Sequence, residues 1–216
     1  MNKFPTPNYN TREGRNEFVI KLIKSTFPDT TTILNIGGGQ KRYLKNSGYK
    51  VTEIDKEGDN DYNLNLDEIE KLPLENGSFD TVLALDVLEH LENFHLIFKE
   101  IIRVSRKNII ISLPNSLQNI FAIVANSLQK DPKNNGYYNK FYGLPLEKPI
   151  DRHRWFLTVN DIERFFEEKS KENDFEVRFI TPLSKSFKAK ILSIFLNSRL
   201  KKEVLTKYCW VLIQKK

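Results

Sequence analysis

Cysteine is almost absent from this chain of 216 residues: Cys209 is the only one, so no disulfide can form within the chain. A lone thiol suits a reducing compartment and rules out the small disulfide scaffolds. Histidine is nearly as scarce, with three copies, His90, His95 and His153. Their spacing gives no linear metal-ligand pattern, so no metal is expected from the sequence. Long apolar runs are missing too. Ile120 to Ala125 is the longest, far below the roughly 18 residues that a membrane-spanning helix needs. The first ten residues hold prolines and asparagines and no apolar h-region, so no signal peptide is expected and the cytoplasm is the expected compartment. What remains, 39% hydrophobic and 29% charged, reads as one globular domain over residues 1–216.

Glycine is also sparse, yet three of the nine are consecutive, Gly37-Gly38-Gly39. They follow a short β-type run, Thr31 to Ile36, and precede a helix-like stretch, Gln40 to Asn46, that Gly48 would stop as a C′ glycine. A strand, a glycine loop and a helix form the arrangement in which backbone approaches a nucleotide, because glycine has no Cβ and tolerates positive φ. The next strand, Lys50 to Asp55, ends in a carboxylate. Asp55 lies 18 residues beyond Gly37, close to the spacing at which an acidic side chain meets ribose hydroxyls in a βαβ site. A dinucleotide fingerprint also needs glycine at the sixth loop position, and that residue is Arg42. A nicotinamide-dependent oxidoreductase is therefore the weaker reading.

The glycine run instead resembles motif I of class I S-adenosylmethionine-dependent methyltransferases. Leu72-Pro73-Leu74-Glu75-Asn76-Gly77-Ser78-Phe79-Asp80 resembles that family's "LPF…SFD" segment, and Asp86-Val87-Leu88-Glu89-His90 resembles its "EVLEH" segment. The motifs occur in family order between Thr31 and Asn115. The chain departs from the pattern at Asn35, where the family has an acid, and at Lys41, where it has a third glycine. An amide brings no charge to pair with an ammonium. These departures keep a second reading open, a non-catalytic protein of the same fold that binds a partner.

The resemblance implies a doubly wound, mostly parallel, seven-stranded sheet of Rossmann-like methyltransferase type, and S-adenosylmethionine as cofactor. It places Asn35, Ile36, Gly37, Gly38 and Gly39 along the methionine half, Asp55 at the ribose, and Asn65, Leu66 and Asp67 near the adenine. Leu85 and Asp86 would face the methyl-transfer point. Asp55 has the alternative of capping the next turn, and Asp86 that of capping the following helix. His90 is a candidate base or a brace for its loop.

The periodicities fit this fold. Asn16 to Phe27 reads as an amphipathic helix, and Asp61 to Leu66 as a short third strand. Phe79 to Asp86 is almost continuously apolar, as a strand covered on both faces should be. Asn93 to Ser105 reads as a helix and Asn108 to Leu113 as strand five. Thr158 and Asp161 have capping-box spacing ahead of a helix from Val159 to Lys169. Phe175 to Thr181 and Val204 to Gln214 would be strands six and seven at an antiparallel edge.

Residues 115–157 follow strand five at the sheet edge where ligands bind in open α/β folds, and read as a substrate-binding lid or as an excursion packed on its own aromatics. Within it, Tyr142, Asp151, Arg152, His153 and Arg154 are candidate acceptor contacts. Two arginines beside a histidine suit an anionic group; pairing with nearby acidic side chains is the rival reading. His153 joins His90 as a candidate catalytic residue. The sequence thus points to methyl transfer, most simply O-methylation, to a small-molecule or glycan acceptor.

Overall charge is +6, but Lys185 to Lys216 holds nine Lys/Arg against Glu203 alone, a local +8 that leaves the rest at −2. A basic end can meet an anionic membrane surface, or it can be a solvated helix face with a lysine-tipped strand. No zinc-finger or aromatic RNA-binding motif is present, so nucleic acid is not an expected partner. The oligomeric state is not legible.

Overall fold

The computed structural model describes residues 4, 5, 7, 9, 11–38, 44, 47–119, 142–144, 147–149, 151–183 and 196–216. Helix α1 (Arg12–Thr26) opens the chain. Strands β1 (Thr32–Ile36), β2 (Lys50–Asp55), β3 (Tyr62–Asn63) and β4 (Phe79–Leu85) follow. A one-turn 3₁₀ helix (Leu88–His90) leads to α2 (Phe94–Val104), which passes directly into β5 (Ser105–Pro114). Then come α3 (Val159–Asn173), β6 (Phe175–Ile180), α4 (Ser198–Leu205) and β7 (Tyr208–Lys215). The seven strands form one sheet in the order β3-β2-β1-β4-β5-β7-β6. Among them β7 runs antiparallel to both of its neighbours.

Alternation along the central strands gives each face its own core. Leu34, Ile36, Val82, Ala84, Ile109 and Ile111 point to one side, against Ile97, Phe98, Ile101 and Val104 of α2 and Ile162 and Phe166 of α3. Ile33, Leu83, Leu85 and Ile110 point to the other, against Phe18, Val19, Leu22 and Ile23 of α1. All seven residues of β4 are buried. Each large side chain so enclosed contributes about 1.5–3 kcal/mol. The lone thiol, Cys209, lies in this core, and burial pushes its pKa up, which leaves it inert.

Polar anchors set the ends of the strands. Asp80 accepts hydrogen bonds from the backbone N–H and the hydroxyl of both Thr31 and Thr32, at 2.7–3.1 Å. The aspartate of the "SFD" segment thus pins the start of β1 to the start of β4. The loop before it is held by Arg103, which donates to the carbonyls of Leu72 and Leu74 and to Asn76 Oδ1, while Glu100 accepts from Leu72 N.

Several boundaries differ from the sequence reading. Helix α1 begins at Arg12, not Asn16, because the Thr11 hydroxyl caps it by accepting from Gly14 N. Strand β3 keeps only two residues; asparagines and a turn at Asn65 to Glu68 end it. Strand β5 starts at Ser105, where Phe79 pairs with it. Val204 and Leu205 belong to α4 rather than to the last strand, because Asn197 caps a helix there by accepting from Leu200 N. The Thr158–Asp161 capping box forms in both directions. Gly48 has φ +87°, but residues 40–43, 45 and 46 of the expected helix lie outside the described residues. So do residues 120–141 of the expected lid and residues 184–195 of the basic C-terminal stretch. Among the described residues no helix is long and apolar enough to cross a membrane.

Candidate cofactor and acceptor site

The carboxyl ends of β1, β2 and β4 surround a cavity of about 310 Å³. Gly37 begins one wall. Its φ is +69°, its N–H donates to Ile54 O at 2.8 Å, and a Cβ there would lie 2.4 Å from Val87 Cγ2. A Cβ on Gly38 would lie 2.1 Å from Asn35 Nδ2. Glycine is required at both positions, the first by conformation and contact, the second by contact alone. Gly39 lies outside the described residues.

Asp55 and Lys56 form the wall beyond β2, and Leu64 to Asp67 continue it. One Asp55 oxygen accepts from Lys56 N at 2.6 Å. Asn65 donates to Glu68 Oε1 and accepts from Asp67 N. Asp67 anchors the approach to α2, accepting from Asn93 through Oδ1 and through its carbonyl. Across the cavity stand Val87, His90, Asp151, Arg152 and Arg154. The fold therefore brings Gly37, Asp55, Asn65, Leu66, Asp67, His90, Asp151, Arg152 and Arg154 around one space.

Other expected residues lie elsewhere. Asn35 and Ile36 are buried within β1. Leu85 is buried at the end of β4, and neither it nor Asp86 lines the cavity. Asp86 has φ +54°, accepts from Arg15 of α1 at 2.6 Å and accepts from Ser112 Oγ at 2.6 Å. It does not cap the 3₁₀ turn, whose cap, Val87, makes no side-chain bond. Arg152 donates to the carbonyls of Tyr142 and Gly143, and Arg154 pairs with Glu92 at 3.0 Å. His95 is exposed on α2.

His153, nearly buried, receives or gives a hydrogen bond with Tyr142 Oη at 2.7 Å, and that hydroxyl also meets Ser116 Oγ at 2.6 Å. Burial raises the Tyr142 pKa, which keeps the phenol neutral. His90 Nδ1 lies 2.6 Å from Asp151 Oδ1 and 3.0 Å from Arg152 O. Tyr142 and residues 151–154 are thus tied back to the ends of β4 and β5.

Two acidic residues escaped the sequence reading. Glu53, 1% exposed, pairs in register with Asn35, whose Nδ2 donates to its Oε1 at 3.2 Å beneath Gly38. It stands two residues before Asp55, so strand alternation places both on one face, a signal present in the sequence. Glu89, also 1% exposed, precedes His90 on the 3₁₀ turn. Burial, and then the field of Asp86, pushes its carboxyl well above the ordinary range.

Residues 34–112 match the family model described as "Methyltransferase domain". No curated protein matches the chain. Among solved structures, the methyltransferase domain of bacterial CtHen1 is 15% identical, with a TM-score of 0.56 over 95% of this chain and 100% of that one. The plantazolicin methyltransferase BpumL, in complex with a triazolic desmethylPZN analog and SAH, is 15% identical, with a TM-score of 0.58 over 94% of this chain and 83% of that one. An S-adenosylmethionine-dependent methyltransferase from Archaeoglobus fulgidus is 17% identical, with a TM-score of 0.52 over 93% of this chain and 94% of that one. At these identities the likeness establishes the fold.

Proposed function

The chain carries the methyltransferase domain of the class I S-adenosylmethionine-dependent family, and from that premise we propose that it methylates a hydroxyl of a small-molecule or glycan acceptor. The observation that carries this reading is the cavity that joins the Gly37 turn and Asp55 on one side to His90, Asp151, Arg152 and Arg154 on the other.

When bound, S-adenosylmethionine supplies an electrophilic methyl group on a sulfonium; the chain's work is to align, desolvate and take up a proton. Asp55 would accept from the ribose hydroxyls in charge-assisted bonds. Asn65, Leu66 and Asp67 would bound the adenine. Glu53 restores beneath the glycine loop the negative charge that Asn35 lacks, and that charge favours the ammonium of the methionine part. Leu85 and Asp86 would act only indirectly, since Asp86 is committed to Arg15 and Ser112.

Residues 115–157 would close over the acceptor. Their described part supports this reading, because Pro149, Asp151, Arg152 and Arg154 wall the cavity. Arg152 serves this closure by clamping the backbone at 142–143 rather than by meeting an anion. The expected contact of the basic C-terminal region with an anionic membrane belongs to the same reading, with Lys202 of α4 already paired to Glu163 at 2.6 Å.

Similar proteins act on other acceptors: one is named for small RNA and another for plantazolicin. A transfer assay therefore tests the proposal. The purified chain is incubated with methyl-tritiated cofactor and separate pools of sugar nucleotides, lipid-linked glycans, peptides and RNA oligonucleotides. Label that enters a glycan pool as a methyl ether supports the reading. Label confined to RNA or peptide, or carried on nitrogen, overturns the acceptor class.

A further inference from the structure

We propose that Glu89, His90 and His153 bind a divalent first-row transition ion at the edge of the cofactor cavity. Glu89 and His90 are neighbours on the 3₁₀ turn that follows β4, whereas His153 arrives from the segment ahead of α3. Folding brings one ligand-capable atom of each within 4.8 Å of the others. Metal bonds of about 2.0–2.2 Å to imidazole nitrogen and carboxylate oxygen set ligand atoms about 3.4 Å apart in a tetrahedral site, so the three side chains would draw together on binding.

A second observation, independent of that clustering, points to a cation. Glu89 is 1% exposed, and among the described residues its Oε2 has no hydrogen-bond partner. An enclosed carboxylate oxygen left in that condition is costly unless a positive charge meets it. Arg15 favours the charged carboxyl but is itself engaged by Asp86, and Arg154 meets Glu92. Asp86 and Asp151 instead raise the negative potential around Glu89.

The histidines are oriented as ligands are. Around His90 Nδ1 lie Asp151 Oδ1 at 2.6 Å and Arg152 O at 3.0 Å, both acceptors. Nδ1 is therefore the protonated nitrogen, and the lone pair of the neutral ring belongs to Nε2. That Nε2 lies 3.8 Å from Glu89 Oε1, an approach of two electron-rich atoms that a cation between them makes favourable. His153 Nδ1 is fixed by Tyr142 Oη at 2.7 Å, and the two rings meet edge to face with centroids 4.6 Å apart. Carboxylate, carbonyl and hydroxyl partners on the far ring nitrogen are the usual outer support of metal-bound imidazole. Two imidazoles and one carboxylate suit zinc, cobalt or manganese, and three protein ligands leave coordination positions open.

His90 lines the cavity, so an open position there faces the acceptor. This step rests on the methyltransferase reading. An acceptor hydroxyl on the ion has its pKa lowered. Its proton leaves to solvent, the oxygen lone pair forms the new bond to the methyl carbon, and the carbon–sulfur pair stays on sulfur.

The test uses the full chain stripped with chelator, titrated with Co²⁺ by visible absorption and with Zn²⁺ by calorimetry. S-adenosylhomocysteine is titrated separately, with chelator present. One ion per chain at micromolar affinity or tighter is expected. Glu89→Gln and His153→Ala should weaken it at least tenfold, and Tyr142→Phe to a smaller extent, with melting temperature checked for each. No ion on a wild-type chain that binds S-adenosylhomocysteine overturns the site and spares the methyltransferase reading; a proton alone then serves Glu89. Equal binding by wild type and both ligand variants also overturns it. Binding of Co²⁺ without S-adenosylhomocysteine supports the site and removes its role toward an acceptor.

Discussion

At Asn35 an amide stands where the resemblance calls for a charge, and a buried carboxylate, Glu53, lies across the ladder and accepts from Asn35 Nδ2. Glu53→Gln keeps the shape and the acceptor for Asn35 but removes the charge. It should weaken S-adenosylhomocysteine binding by about tenfold with little change in melting temperature, since a charge-assisted contact contributes about 1.5–3 kcal/mol. An unchanged Kd by calorimetry would confine Glu53 to a structural role. Gly37→Ala is a sharper case. Its Cβ would meet Val87 Cγ2 at 2.4 Å at a φ of +69°, so the variant should lose about 1–3 kcal/mol of stability and most cofactor affinity. Val87→Ala in the same chain removes the 2.4 Å contact but leaves the residue-87 Cβ at 2.7 Å, so it should recover only part of the loss; full recovery in a denaturant titration would contradict a cost from that remaining contact or from φ. Gly37 and Asp55 were legible because each sits in a local pattern. The company of Glu89 was not, because His153 is brought to it by the fold rather than by spacing.

At the scale of elements, two short polar devices decide where strands and helices begin. The Thr158 hydroxyl accepts from Asp161 N while Asp161 accepts from Thr158, at 2.6–3.2 Å. Thr158→Ala should cost about 1 kcal/mol, visible as a fall of a few degrees in melting temperature. Asp80 joins β4 to β1. Burial works against its charge, but the four bonds from Thr31 and Thr32 outweigh it and hold the carboxyl well below the ordinary carboxylate range. A depressed folded pKa stabilises the protein above the unfolded value and loses that contribution as pH falls below about 4. Wild type should therefore exceed Asp80→Asn in urea midpoint near neutrality, with the gap shrinking by pH 3; a constant gap would contradict this. The sequence announced the capping box and the apolar β4. It hid the start of β7, because Val204 and Leu205 look like strand residues while Asn197, seven positions before Val204, starts a helix that includes them.

Across the whole molecule, the strand order β3-β2-β1-β4-β5-β7-β6 changes its sense of progression between the parallel neighbours β1 and β4, and the cavity opens at their carboxyl ends. That architecture was legible from alternating strand and helix periods, since each strand's apolar pattern must serve a core on both faces. The acceptor side was less so. Its residues arrive from 142–154, where no periodicity operates and tertiary hydrogen bonds such as Trp155 Nε1 to Leu91 O do the placing. The proposed function requires this cavity to hold S-adenosylmethionine through Asp55. The most direct measurement is calorimetric titration of wild type and Asp55→Ala with S-adenosylhomocysteine, and of wild type with NADH. Micromolar binding of the first ligand alone, weakened about tenfold or more by the substitution at unchanged melting temperature, is the expected result. Binding of NADH, or S-adenosylhomocysteine binding indifferent to Asp55, would contradict it.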